Sequence, residues 1–206
     1  LQEAFALRAE IGDRTHLIEI HATLIDAALV RGDTSQATRH NDALLSLLTP
    51  TDRASLRQVG YFAHAKFAEA VGQNDKAARA LALALQARDE MAAALPEADR
   101  ARFLRNVPLN RQVAQAARRF LHIETVTLGM GKQAKVVTWT LRQAQDYLFD
   151  DETERRRYVL LRLLAQAESQ EVTPTHDQLA ESLGVSRRTI LRDLAARQDS
   201  PAQSDR

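Results

Sequence analysis

Apolar side chains return every three or four positions through the first ~110 residues, and this recurrence constrains the chain more than any other feature. Each such stretch must lay one stripe of a helix against another helix. Only seven glycines and five prolines interrupt the 206 residues, so every break carries information. A first helix is expected to end near Gly12-Asp13. A second runs from about Thr15 to Arg31, and Gly32-Asp33 separates it from a third running from about Thr34 to Leu48, closed by Pro50. The pattern then recurs. A helix from about Asp52 to Val71 breaks at Gly72-Gln73-Asn74 and is followed by one from about Asp75 to Leu95, closed by Pro96.

One offset carries Gly32 onto Gly72, Ala37 onto Ala77 and Leu44 onto Ala84, which is an internal repeat of two helices. Ala37 and Ala77 sit where a bulky side chain would push antiparallel helices apart. The stretches Gly-Asp-Thr-Ser-Gln-Ala, from Gly32, and Gly-Gln-Asn-Asp-Lys-Ala, from Gly72, together with the trailing Pro50, resemble tetratricopeptide repeats over roughly residues 1 to 95. The repeat is longer than that family's usual ~34 residues. Leu1 to Ile11, with Ala4 and Leu7 on one face, resembles the last helix of a preceding repeat. Because the chain opens at Leu1 in mid-helical pattern, a piece of a longer polypeptide is expected. Residues 97 to 120 are rich in Arg and Ala, and Pro108 divides them into two helices that would cap the array.

The texture changes after Phe120. His122 to Leu128 and Lys135 to Leu141 are rich in β-branched residues and flank Gly129-Met130-Gly131-Lys132-Gln133, so they predict a β-hairpin. Val137, Trp139 and Leu141 fall on one face of its second strand. A lone hairpin is marginal in water, so it should pack on helices or pair with another chain. Gln143 to Glu152 is expected to be a linker.

From Thr153 the pattern is three helices. The first, from about Glu154 to Gln170, carries Leu160, Leu163, Leu164 and Ala167 on one stripe. Thr175 and Gln178 have capping-box spacing at the start of the second, which holds Leu179, Ala180 and Leu183. At Gly184-Val185-Ser186, Gly184 suits a left-handed turn, Val185 plugs the core and Ser186 caps the third helix. Ala180, four residues before Gly184, allows a close helix crossing. Ile190 and Leu194 use the core side of the third helix, which leaves Arg187, Arg188, Thr189 and Arg192 facing away from it. Arg can grip guanine O6 and N7 with two hydrogen bonds. Thr175 and Ser186, with the free N–H groups of the two helix starts, are placed to hold phosphates. From Thr153 to Arg197 there are eight arginines against six acids, so clustering matters more than the sum.

The run His176-Asp-Gln-Leu-Ala-Glu-Ser-Leu-Gly-Val-Ser-Arg-Arg-Thr-Ile-Leu-Arg-Asp-Leu-Ala195 resembles the helix-turn-helix of bacterial repressors of the sugar-operon and biotin-repressor type. Carried over by position, the resemblance implies that Arg187, Arg188, Thr189 and Arg192 read bases or backbone. Those families continue into a β-wing, whereas residues 198 to 206 here are short, polar and contain Pro201. Tetratricopeptide repeats followed by such a module also resemble the C-terminal part of large bacterial signal-transduction ATPase regulators. That likeness implies a nucleotide-driven switch upstream of Leu1.

Composition narrows the alternatives. With 28 basic and 27 acidic residues the net charge is +1, so any attraction to nucleic acid must be local. No cysteine is present, which excludes disulfides, thiolate metal sites and cysteine nucleophiles. No stretch reaches the roughly 20 apolar residues of a membrane span, and no leader precedes the helices, so a soluble, cytoplasmic chain without a membrane partner is expected. His16, Glu19 and His21 do not share one helical face, so no metal site is expected, and no cofactor. Gly129 to Lys132 lacks the span, hydroxyl and following helix of a phosphate loop. Arg155, Arg156 and Arg157 read as a solvated helix start or as a phosphate contact. No spacing supports a catalytic grouping, so the chain is not expected to be an enzyme.

The expected fold is mainly α. It comprises tetratricopeptide-like repeats over 1–120, a β-hairpin and linker over 121–152, a three-helix helix-turn-helix domain over 153–197 and a polar tail over 198–206. The expected function is a DNA-binding transcriptional regulator whose partners are double-stranded DNA, a second copy of the chain and a protein on the repeat surface. The alternative is a tetratricopeptide-type interaction scaffold whose helix-turn-helix docks protein, with the repeats as a spacer or a binding surface.

Overall fold

The computed structural model describes residues 14–128 and 134–198. The chain is mainly helical with one small antiparallel sheet, and it divides into two compact units, Leu1–Phe120 and Leu121–Arg206. The helix expected over Leu1 to Ile11, the turn at Gly129 to Gln133 and positions 199–206 of the tail lie outside the described residues.

In the first unit, α1 (Arg14–Val30), α2 (Thr34–Leu47), α3 (Ala54–Ala70) and α4 (Asn74–Ala93) form two helix pairs, α1 with α2 and α3 with α4, and α1 also packs on α3. Within each pair the helices are joined by the same turn. Gly32 and Gly72 sit at φ +71° and +75°, where a side chain would be strained, and each helix end closes the same way. The N–H of Asp33 bonds to the Ala28 carbonyl at 2.9 Å, and that of Gln73 to the Ala68 carbonyl at 2.8 Å. Asp33 then accepts from the N–H of Gln36, which caps α2. Ala37 and Ala77 are buried, as are Leu44 and Ala84, so equivalent repeat positions do equivalent packing. Ile18, Ala22, Ile25 and Ala28 of α1 meet Ala37, Leu44, Ala63 and Phe67 in one apolar cluster.

Two further helices, α5 (Glu97–Asn106) and α6 (Pro108–Ala117), complete the array, with Pro108 at the first turn of α6, where its missing N–H costs nothing. A short 3-10 turn, Arg118–Phe120, ends the unit. Asn110 is completely buried. It accepts a 2.8 Å hydrogen bond from Gln58 of α3 and donates one at 3.0 Å to the Phe103 carbonyl, so α6 is held by a satisfied polar pair as well as by Val113.

In the second unit, β1 (His122–Leu128) and β2 (Lys135–Arg142) pair antiparallel with Val126 opposite Val137 and Thr125 opposite Thr138. The hairpin shares its core with three helices. Leu128, Val137 and Trp139 pack with Val159, Leu160, Leu163 and Ala167 of α7 (Glu152–Ser169), Leu179 and Ala180 of α8 (His176–Ser182) and Ile190 of α9 (Arg187–Gln198). Fully burying each of the large aliphatic members contributes about 1.5–3 kcal/mol. Helix α9 extends to Gln198, one residue into the segment expected to be tail.

The stretch expected as a linker is part of this unit's folded structure. Gln143 and Asp146 form a capping box around a 3-10 helix, Ala144–Leu148, in which Ala144 and Asp146 are buried. Asp146 receives both terminal nitrogens of Arg162, at 2.5 and 2.9 Å, a bidentate pair almost sealed from water. Composition misleads here because a solvated acid and a buried, paired one read alike in sequence.

Candidate nucleic-acid interface

Helix α8 begins where a local bonding pattern allows it. The Thr175 hydroxyl accepts from the Gln178 N–H at 3.2 Å, and the Gln178 side-chain oxygen accepts from the Thr175 N–H at 2.9 Å. The helix ends at Gly184, φ +62°, with the Val185 N–H bonded to the Ala180 carbonyl at 2.9 Å and the Gly184 N–H to the Glu181 carbonyl at 3.1 Å. Helix α9 starts after Ser186, whose hydroxyl accepts from the Thr189 N–H at 3.1 Å. Val185 and Leu183 pack against the core beside Leu179, Ala180 and Ile190.

Of the six residues singled out by sequence, Thr175 and Ser186 are the caps of α8 and α9. Arg187, Arg188 and Arg192 are exposed. Arg187 approaches Asp177 at 3.8 Å, an exposed contact of little energetic weight. Among the described residues no carboxylate pairs with Arg188 or Arg192. The Thr189 hydroxyl lies 2.9 Å from that of Ser186, so the two hydroxyls meet at the start of α9.

Two positions on α9 escaped the sequence. Leu191 is 45% exposed and shares the outward face of the helix with Arg188, Arg192 and Ala195. Its i+3 spacing from Arg188 was the available signal. Asp193 is the second. Its side chain is fully buried on the core side of α9, three positions after Ile190, and accepts from Arg156 Nε at 2.7 Å and Arg157 Nε at 3.2 Å. Burial pushes the Asp193 carboxyl up, and the hydrogen bonds from Arg156 and Arg157 outweigh it, so the group titrates below its ordinary range.

The three arginines at the start of α7 are therefore not a solvated cluster. Arg155 bonds to the Phe149 carbonyl at 3.0 Å and lies over the Tyr147 ring, while Arg156 and Arg157 hold α9 through Asp193. The one carboxylate on α9 is thus compensated internally, and the outward face keeps an uncompensated positive charge. Such a face, presented from the first turns of an exposed helix, can approach phosphates by charge and base edges by bidentate hydrogen bonds and apolar contact.

Among the described residues no three potential metal ligands come together, and no helix is long and apolar enough to cross a membrane. No family model matches the sequence, and comparisons with curated proteins and with solved structures returned no match.

Proposed function

We propose that the second unit is a helix-turn-helix module that reads double-stranded DNA, and that the chain is a sequence-specific transcriptional regulator. The observation that carries this is the outward face of α9. Arg188 and Arg192 stand exposed around Leu191, on a helix whose only acid is buried and paired. In this reading α9 enters the major groove, Arg188 and Arg192 contact guanines or phosphates, Leu191 contacts a thymine methyl, and the caps at Thr175 and Ser186 hold phosphates. The helix pairs α1–α2 and α3–α4 are read as tetratricopeptide-like repeats that transmit a signal or bring two copies together, since one three-helix module buries little DNA surface.

A selection from random duplexes tests this, followed by titration of the wild type and the Arg188→Ala, Arg192→Ala double variant at two salt concentrations. One enriched motif, lost in the double variant, supports DNA reading. Motif-free, weak binding favours the second reading, an interaction scaffold. That reading rests on a groove of ≈ 610 Å³ in the first unit, lined by Asn41, Leu45, His64, Phe67 and Lys76 among others.

A further inference from the structure

The two outer edges of the hairpin are treated differently. On β2, the Gln170 side chain accepts from the Thr138 N–H at 2.9 Å and donates to its carbonyl at 3.1 Å. Gln166 accepts from the Thr140 N–H at 2.9 Å, and Arg162 donates to the Thr140 carbonyl at 3.0 Å. Side chains of α7 therefore occupy the place of a third strand along β2.

In an antiparallel pair, residues opposite one another point their backbone groups the same way, either both inward or both outward. Thr138 and Thr140 point outward to α7, so their partners Thr125 and Ile123 point outward on the β1 side. There the Thr127 carbonyl accepts from the Gln178 side chain at 3.3 Å. Among the described residues nothing bonds the outward N–H and C=O groups of Ile123 and Thr125, and both residues are exposed. An open edge of this kind is a template for another strand.

A groove of ≈ 360 Å³ beside this edge is lined by Glu124, Val126 and Leu128 of β1 and by Gln178 and Glu181 of α8, with the Glu124 carboxylate 3.1 Å from the exposed His122 ring. We infer that β1 receives an extended segment of another protein, one that alternates basic with β-branched side chains, as a third strand. Its basic side chains turn into the acidic groove, and its β-branched ones lie beside Ile123 and Thr125 on the uncharged outer face. A second copy of β1 fits poorly. The antiparallel self-pairing that uses both open residues, Ile123 of one copy against Thr125 of the other, sets Glu124 opposite Glu124, like charges side by side.

A synthetic decapeptide alternating Lys and Val, capped at both ends, and its Glu-Val counterpart serve as probes of the full chain. Binding is followed by anisotropy and by amide shifts of Ile123 and Thr125. The expected result is saturable binding of the Lys peptide and binding of the Glu peptide weaker by tenfold or more. Thr125→Pro removes an N–H that the β1–β2 ladder does not use, so it should cost about tenfold for the bond lost and the strand blocked. Glu124→Gln with Glu181→Gln should weaken the Lys peptide similarly while leaving the urea unfolding midpoint, and hence the fold, unchanged. No saturable binding, equal binding of both peptides, or indifference to both variants would overturn the inference. So would protection of the Ile123 and Thr125 amides that rises with protein concentration in the absence of peptide, which would assign the edge to a second copy.

Discussion

Arg156 near the start of α7 and Asp193 on α9 meet across the second unit, Nε to Oδ2 at 2.7 Å, although 37 residues separate them in the chain. Arg157 adds a second bond to the same carboxylate. Nothing else polar ties α7 to α9 so directly, among the described residues, so this contact sets how the exposed arginines of α9 are presented. Asp193→Asn leaves two arginines facing a neutral amide. It should destabilise the second unit by about 3 kcal/mol, at the low end for a broken buried pair because Arg157 remains 40% exposed. Trp139, the only tryptophan, is buried in that core and reports the unfolding in urea. A loss below about 1 kcal/mol, the range of an exposed ion pair, would show that the contact does not hold α9.

The same pair has a pH signature. Because the folded Asp193 titrates below its unfolded value of about 3.9, its stabilisation is complete above that pH and is lost as pH falls through the folded value. Wild type and Asp193→Asn should therefore converge in stability as pH drops below about 4, and should run parallel from about pH 5 to 8.

The first unit is expected to respond at milder acidity. His21 lies with its Nδ1 3.2 Å from that of His40, and burial first, then His40 itself, lowers its pKa. Burial and then Arg39 lower that of His40, while burial and Lys76 lower that of His64 against an opposing Asp42. The folded state thus binds fewer protons than the unfolded chain below about pH 6.5, so stability should fall as pH drops from about 7 to 5. Amide exchange in α1 and α2 measures this, and His40→Gln should flatten the slope. A slope unchanged in that variant would place the effect elsewhere.

Glu171, just after α7, adopts φ +57°, and its N–H and that of Val172 close the helix end on the carbonyls of Glu168 and Ala167. Glycine does this elsewhere in the chain without strain. Glu171→Gly should stabilise the second unit by about 1 kcal/mol, since the ion pair lost with Lys135 is exposed and long at 3.4 Å. Thermal unfolding checks the sign.

Ala37 and Ala77 are 0% and 1% exposed at equivalent places in the two helix pairs. Ala37→Leu or Ala77→Leu should each cost about 1–3 kcal/mol by overpacking, with little effect on the Trp139 signal of the second unit. Tolerance of both would mean that the helices do not cross closely there.

The helices and the turn into α9 were legible because their determinants are local. Asp33, Thr175 and Ser186 cap within three residues, and Gly32, Gly72 and Gly184 close helix ends within five. The hairpin was legible from β-branched runs on either side of a glycine-containing segment. What escaped depends on long-range partners. Asp146 looked like a linker acid until Arg162 enclosed it, and Arg156 and Arg157 looked solvated until Asp193 met them. Gln166 and Gln170 gave no sign that they would close the edge of β2. A charged side chain's spacing tells which face it is on, but not what lies opposite.

The most direct measurement is the salt dependence of binding to a selected duplex, comparing wild type with the Arg188→Ala, Arg192→Ala double variant. Expected is a steep fall of affinity with salt for the wild type. The double variant should show loss of motif preference at about 1–3 kcal/mol for each base contact removed, or a slope shallower by about 1 for each phosphate contact removed. Equal affinity, slope and motif preference in the two proteins would contradict the assignment of α9 as the DNA-reading helix.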